Sequence, residues 1–338
     1  MNVLGIESSC DETAASVVTD GRVIRSNVVN SQIDIRKSYG GVVPEVAARS
    51  HIEVVNPVID QALSEADMTW DDVDAIAVTY APGLIGSLLI GTLAARTLAI
   101  LKNKPLYPVH HIEAHVYANF LSATPPTFPM LALIVSGGHS QIMLFHDHGK
   151  YEIIGRTVDD AIGEAFDKVA KIIGLPYPGG PSIAMAAKNG DPKKYHLPKA
   201  KLAGKYDFSF SGLKTAVLRA VQREVAVDIA YPSSGLAGLL DASQRNDFAA
   251  SFQRVAVETL VDKMTLAYDE FQPKSVVIAG GVAANAELRR ILAERIPIAI
   301  TYPAPELCTD NAAMVACLGY FKAQKNRPSD PFELEVIP

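Results

Sequence analysis

Two stretches of this chain repeat one pattern, and that repeat constrains the fold more than any single motif. Val3 to Ile6, the polar turn Ser8 to Glu12 and Ala14 to Val18 read as strand, turn and strand. Leu131 to Val135, the small-residue turn Ser136 to His139 and Gln141 to Leu144 read the same way. A second echo follows each of these. Asp74 to Val78, Pro82-Gly83, a helix and the strand Pro105 to Val109 parallel Ser275 to Ala279, Gly280-Gly281, a helix and Ile298 to Thr301. Repeated units of this kind imply a duplicated α/β domain, each copy a sheet with helices packed on it. At 338 residues the chain exceeds one ordinary core, which agrees with two domains. The proline cluster Pro125, Pro126 and Pro129 marks the break between them.

Between these anchors, Val42 to Ala66 reads as a helix, preceded by Gly40-Gly41 and carrying Pro44 near its start. The most apolar window, Leu84 to Leu101, approaches the length of a membrane span. Arg96 interrupts it, and Gly86, Gly91 and Ala94 suit close packing on a sheet, so a buried helix is expected. Gln222 to Asn246 reads as a mobile insertion, and a last helix runs from about Asn311 to Lys325.

A net charge of −6 argues against wrapping nucleic acid by charge alone, which depends on neutralising many phosphates. Any RNA contact is therefore expected at a local patch or through a partner. Lys193, Lys194, Lys199, Lys201 and Lys205 fall in a stretch with no acid and form the best such patch, with a solvated loop as the equal alternative. Three scattered cysteines imply no disulfide framework and a reducing, cytoplasmic setting. The N-terminal residues lack the basic segment of a secretory signal, and no membrane association is expected.

Chemistry concentrates at a few points. His111 and His115 on a helix lie one turn apart on one face, the arrangement by which a helix offers two nitrogens to a transition metal. His110 is about 100° round from His111 and belongs to the strand end or behind the ligands. Asp310, before the last helix, reads as its N-cap. If that helix folds back toward the first domain, Asp310 completes a two-histidine, one-carboxylate set that accepts Fe2+ or Zn2+.

The turn Ser136-Gly137-Gly138-His139 can aim backbone N–H groups at an anion. In its counterpart, Ser8 to Glu12, Asp11 and Glu12 either hold a divalent ion such as Mg2+ against phosphates or are solvated acids. Gly280-Gly281 leads to Asn285, which is equally a purine contact or a helix cap. Gly179-Gly180-Pro181 is a helix start and a candidate nucleotide wall, with Pro181 at the first helical position. Asp160, Glu164 and Asp167 are expected on one helix face, where Asp167 either accepts from ribose hydroxyls or is merely solvated.

Taken in order, Gly5 to Thr13, Tyr39 to Glu45, His110 to His115, Val135 to His139, Gly163 to Lys168, Asp207 to Lys214, Gly280 to Asn285 and Cys308 to Asn311 resemble the tRNA adenosine threonylcarbamoyltransferase (TsaD) family. The resemblance spans nearly the whole chain. It implies two duplicated lobes of the actin/hexokinase/Hsp70-like (ASKHA) type, with a nucleotide and metal site between them. The lobes are expected at 1–110, completed by 311–338, and at 111–310, with a helical insertion around 181–250.

It further implies transfer of threonylcarbamoyl from threonylcarbamoyl-AMP to N6 of the adenosine beside the anticodon in ANN-decoding tRNA. His111, His115 and Asp310 match the family's metal ligands. Ile134, Val135, Ser136, Gly137, Gly138, Asp167, Gly180 and Asn285 match its nucleotide contacts, and Ser9, Asp11 and Glu12 are candidate phosphate or Mg2+ contacts. Archaeal and eukaryotic relatives carry a tyrosine ligand where this chain has Ile134 and asparagine where it has His139, so the resemblance is to the bacterial branch. That branch implies an inactive paralogue (TsaB type) and a small ATPase (TsaE type) as partners.

Three rivals compete. A His-Glu-x-x-His metalloprotease needs its glutamate beside the first histidine, whereas Glu113 is about 200° round the helix from His111. A kinase or simple ATPase would use the anion turns but has no need of the histidines. A small-molecule O-carbamoyltransferase shares the metal and nucleotide logic, and the lysine stretch favours RNA over it.

Overall fold

The computed structural model describes residues 1–33 and 43–338. The Tyr39, Gly40, Gly41 and Val42 portion of one motif lies outside them. The chain divides into two compact units, residues 1–126 with 303–338, and residues 127–302.

The first unit holds a sheet of β1 (Asn2–Glu7), β2 (Glu12–Thr19), β3 (Val23–Ser31), β4 (Ala75–Ala81) and β5 (Leu106–His110). The second holds β6 (Met130–Val135), β7 (Ser140–Asp147), β8 (Lys150–Arg156), β9 (Ser275–Ala279) and β10 (Ile300–Thr301). Their spatial orders are β3-β2-β1-β4-β5 and β10-β9-β6-β7-β8. Taken from the opposite edge, the second order is the first. In each, three antiparallel strands are followed by two parallel ones. The repeat legible in the sequence is thus a repeat of topology.

In the first unit, α1 (Pro44–Glu65) and α2 (Ile85–Lys102) pack on each other and on the sheet. Strand alternation divides the sheet's faces. Leu4 and Ile6 join a core with Val55, Val58, Ile59 and Ala95. Gly5 turns the other way, against α10 (Ala312–Lys325), where a Cβ would lie 2.4 Å from the Ala312 carbonyl oxygen. The missing side chain is what lets that helix backbone settle on the strand.

The short helix α3 (His111–Tyr117) continues directly from β5 and also packs on α10. That packing keeps α3 in the first unit. The divisions fall after residues 126 and 302, the first of them at the proline cluster, whereas the family resemblance implied 110 and 310.

Helix α2 is buried on one face only. Ser87, Leu88, Gly91, Thr92, Ala95 and Ala99 face inward, while Ile85, Leu89, Leu93, Ile100 and Leu101 are exposed. It is long and apolar enough to cross a membrane by length and composition, and here its small-residue face packs on protein.

The second unit adds α4 (Ile162–Ile173), α5 (Gly179–Ala187), α6 (Ser211–Glu224), α7 (Ser233–Leu236), α8 (Ala242–Phe271) and α9 (Ala286–Arg295). The stretch expected as a mobile insertion is largely fastened. Its ends lie in α6 and α8, and the buried Gln222 donates to the carbonyls of Ile229 (3.0 Å) and Tyr231 (3.2 Å).

Candidate metal centre and nucleotide turns

His111 and His115 stand one turn apart on α3, as their spacing requires. Their Nε2 atoms are 3.2 Å apart, and Asp310 Oδ1 lies 3.6 Å from the first and 3.1 Å from the second. Asp310 can do this because it is not the N-cap. Asn311 takes that role, its Oδ1 accepting from the Met314 N–H at 3.1 Å. The helix start is satisfied by the next residue, and the Asp310 carboxylate turns to the histidines instead.

The three atoms suit a metal on geometric grounds. Bonds of about 2.0–2.2 Å place neighbouring ligand atoms about 2.8–3.6 Å apart for angles between octahedral and tetrahedral. Two imidazole nitrogens and a carboxylate oxygen are borderline donors that suit Fe2+ or Zn2+ and leave positions open.

Glu7, at the end of β1, completes the surroundings. Its Oε2 lies 3.1 Å from His111 Nδ1 and accepts from Thr79 Oγ1 at 2.6 Å, and its Oε1 accepts from the Ser9 N–H at 2.6 Å. Ser9 Oγ is 3.1 Å from the same Nδ1. A carboxylate behind a ligating histidine fixes the ring's tautomer and orientation. Burial opposes charge on His111, but the Asp310 and Glu7 carboxylates outweigh it, and its pKa is pushed up to about 9. Burial likewise opposes charge on Glu7, yet the His111 charge and hydrogen bond hold its pKa below the ordinary value. In the metal-free chain the pair is charged.

A pH dependence follows. The stabilisation from charged His111 is full below its unfolded pKa of about 6.5 and is lost as pH rises through about 9. A metal must displace that proton. Apparent metal affinity should therefore rise about tenfold per pH unit from neutrality and level off once His111 is deprotonated. Zn2+ competition titrations between about pH 7 and pH 10 check this, and a flat profile counts against it.

Among the described residues, Glu113 makes no hydrogen bond to either histidine, and burial, partly offset by Lys322 of α10, raises its pKa. Lys322 donates to the Pro108 carbonyl at 2.9 Å. The glutamate therefore has no access to a water on the metal side, and α3 does not form the protease arrangement. His110 ends β5, with burial and then its neighbours His111 and Lys322 lowering its pKa.

The Ser8–Glu12 turn is held tightly. Ser8 Oγ donates to the Ser87 carbonyl at 2.8 Å, Ser87 Oγ donates to the Cys10 carbonyl at 2.8 Å, and His51 Nε2 lies 3.0 Å from that same oxygen. Asp11 is buried, whereas Glu12 Oε1 accepts from Ser31 Oγ at 3.0 Å. Burial pushes the Cys10 thiol well above its usual pKa, so it stays a protonated packing group. Cys10, Cys308 and Cys317 form no disulfide among the described residues.

In the second unit the expected turns converge. Ile134 and Val135 are buried strand residues, so only their backbone can serve a ligand. The Ser136 carbonyl accepts from the Gly163 N–H at 3.2 Å. Gly280, at φ +89°, comes so close that a Cβ would lie 2.5 Å from the Val135 carbonyl oxygen. Asp167 on α4 accepts from the Gly179 N–H at 2.7 Å. At Gly137, Gly138, Gly180 and Gly281 a Cβ would meet no atom within 4 Å, so these glycines face open space among the described residues.

Other expectations change. Asn285 caps α9, accepting from the Leu288 N–H at 3.0 Å and donating to Gln253 at 2.9 Å. Asp160 precedes α4 rather than sharing its face, pairing with Lys168 at 2.9 Å and Lys214 at 3.1 Å. Pro181 is the third residue of α5. Lys199 is paired with Glu258 and Asp262, and Lys205 with Glu270, all on α8. Of the expected patch, Lys193, Lys194 and Lys201 form no ion pair among the described residues.

The fold and these sites define a class: a duplicated α/β protein of the ASKHA type with a two-histidine, one-carboxylate centre. T. kodakarensis HypF shares the fold at TM-score 0.59 and 14% identity, covering 96% of this chain and 48% of that one. Component A of Acidaminococcus fermentans (R)-2-hydroxyglutaryl-CoA dehydratase shares it at TM-score 0.53 and 17% identity, covering 96% and 100%. The family description "tRNA N6-adenosine threonylcarbamoyltransferase" matches residues 23–317. Proteins of that name from Symbiobacterium thermophilum (52% identical, 94% of this chain and 91% of that one) and Thermomicrobium roseum (50%, 99% and 95%) are similar over nearly their full lengths. The chain belongs to the tRNA N6-adenosine threonylcarbamoyltransferase (TsaD) family.

Proposed function

We propose that this chain takes the threonylcarbamoyl group from threonylcarbamoyl-AMP, passes it to N6 of the adenosine adjacent to the anticodon in ANN-decoding tRNA, and releases AMP. Its activity is that of its family, a tRNA-modifying transferase. The observation that carries the mechanistic reading is the convergence of His111 Nε2, His115 Nε2 and Asp310 Oδ1. Those residues would hold Fe2+ or Zn2+, and a metal there supplies Lewis acidity and a fixed point for the carbonyl or hydroxyl oxygens of the transferred group.

The remaining work falls to the chain. Backbone N–H groups of Ser136, Gly137 and Gly138 receive the phosphate, with Ile134 and Val135 setting the turn. Asp167 and Gly180 receive the adenosine. Asn285 joins them through the one donor and one acceptor site its carboxamide retains after capping. Ser9, Asp11 and Glu12 are the residues we assign to a nucleotide-associated Mg2+. No side chain is assigned as general base, and orientation supplies much of the rate.

A TsaB-type paralogue and a TsaE-type ATPase are the proposed partners, in the cytoplasm. The exposed apolar row Ile85, Leu89 and Leu93 supports a protein surface on α2. Mass analysis of tRNA nucleosides after incubation with threonylcarbamoyl-AMP and the partners tests the reading, and full modification by metal-free protein would refute the metal's part. For the RNA, Lys193→Ala, Lys194→Ala and Lys201→Ala together should reduce the slope of log affinity against log salt by about 0.7–0.9 for each phosphate no longer neutralised. An unchanged slope moves the RNA-binding surface to another face or to a partner.

A further inference from the structure

Glu7 ends a strand in a fully buried position. A buried carboxylate must have its oxygens satisfied, and this one divides them between two structures. Oε1 accepts the Ser9 N–H at 2.6 Å and so fixes the first bend of the Ser8–Glu12 segment. Oε2 accepts from Thr79 Oγ1 at 2.6 Å and faces His111 Nδ1 at 3.1 Å. We infer that Glu7 is a positioning residue that makes metal loading at His111 and the conformation of the Ser8–Glu12 segment a single event.

The segment has one seat. A Cβ at Gly83 would lie 2.3 Å from the Ser9 carbonyl oxygen, and one at Gly91 would lie 2.2 Å from Ser8 Oγ. The Ser9 carbonyl also accepts from the Leu84 N–H at 2.8 Å. A shift of the Glu7 carboxylate therefore cannot be absorbed by sliding the segment. His111 keeps its hydrogen on Nδ1, toward Glu7, whether Nε2 holds a proton or is given to a metal. A metal held at Nε2 together with His115 and Asp310 would fix the ring itself; the fixed ring holds Glu7, and Glu7 holds the Ser9 amide.

This inference rests on the metal reading proposed above. The test uses the full-length chain, Zn2+ as probe and the variant Glu7→Gln, which keeps the shape but replaces one accepting oxygen by a donor. Two quantities are read: Zn2+ affinity by competition titration, and amide hydrogen exchange across Ser9 to Glu12 with and without saturating Zn2+. In the native chain Zn2+ should slow exchange at Ser9 and Cys10. In Glu7→Gln affinity should fall roughly ten- to a hundredfold, and saturating Zn2+ should no longer slow that exchange. A merely structural role would leave the metal-induced protection in place. Affinity within twofold of native, with protection unchanged, overturns the inference while the metal reading stands. A native chain that binds neither Zn2+ nor Fe2+ overturns both. If Glu7→Gln does not fold, Thr79→Val, which removes the carboxylate's second tether, carries the test by the same exchange readout.

Discussion

Replacing His111 or His115 with alanine should abolish metal uptake and tRNA modification together. Each substitution removes one of three ligand atoms that lie 3.1–3.6 Å apart, and three protein ligands are the usual minimum for a centre that keeps an open position. Lewis-acid stabilisation is worth several kcal/mol, so the modification rate should fall on the order of a thousandfold or more. His111→Ala should also destabilise the fold by about 1–3 kcal/mol, because the buried Glu7 carboxylate is left without its cationic partner. Metal content by mass spectrometry, nucleoside analysis and thermal melting measure the three effects. Glu113→Gln is the control. It lies on the same helix but hydrogen-bonds to neither ligand, so metal content should be native. Loss of metal in that variant would sink the assignment of faces on α3.

The second large effect is steric and lies two residues before Glu7, on the same face of β1. Gly5→Ala should destabilise the first unit by about 1–3 kcal/mol, and Gly5→Val by more. The added Cβ would meet the Ala312 carbonyl oxygen at 2.4 Å and the Ala316 nitrogen at 2.7 Å, both backbone atoms of α10. Neither can rotate away, so the helix itself must move, and Asp310 lies just before its first turn. Metal affinity should therefore drop even at temperatures where the variant remains folded. Gly86→Ala is a gentler comparison, since its Cβ would meet only the Ala48 methyl at 3.0 Å. Equal melting temperatures for Gly5→Ala and the native chain would contradict the close approach of α10.

Local spacing makes half of the centre legible. An i, i+4 histidine pair states its own geometry, and the same arithmetic turns Glu113 away from the metal. The paired topology is legible too, because each copy repeats its strands and turns in one order. Asp310 is not readable in that way. Whether a carboxylate before a helix caps that helix or leaves it to its neighbour depends on a choice between Asp310 and Asn311 that spacing does not make. Glu7 escapes a motif-based reading, though it carries a signal: an acid at the end of an otherwise apolar strand must find a buried partner. The lysine stretch misleads for the opposite reason. The acids that neutralise Lys199 and Lys205 lie on α8, far along the chain, and no local window contains them. The lobe boundary shifts because α3 chooses its neighbours by packing on α10, a contact between distant segments.

The return of the last helix also has a consequence for how the molecule is made. The first unit is interrupted by the whole of residues 127–302 before residues 303–338 rejoin it. A nascent chain on the ribosome exposes both histidines early, yet Asp310 and the helix that backs β1 emerge only after the whole of the second unit. A product truncated between residues 127 and 302 has both histidines, lacks Asp310, and leaves the face of the first sheet that α10 packs on uncovered. The candidate three-ligand set is thus assembled only once residues 303–338 have joined the first unit.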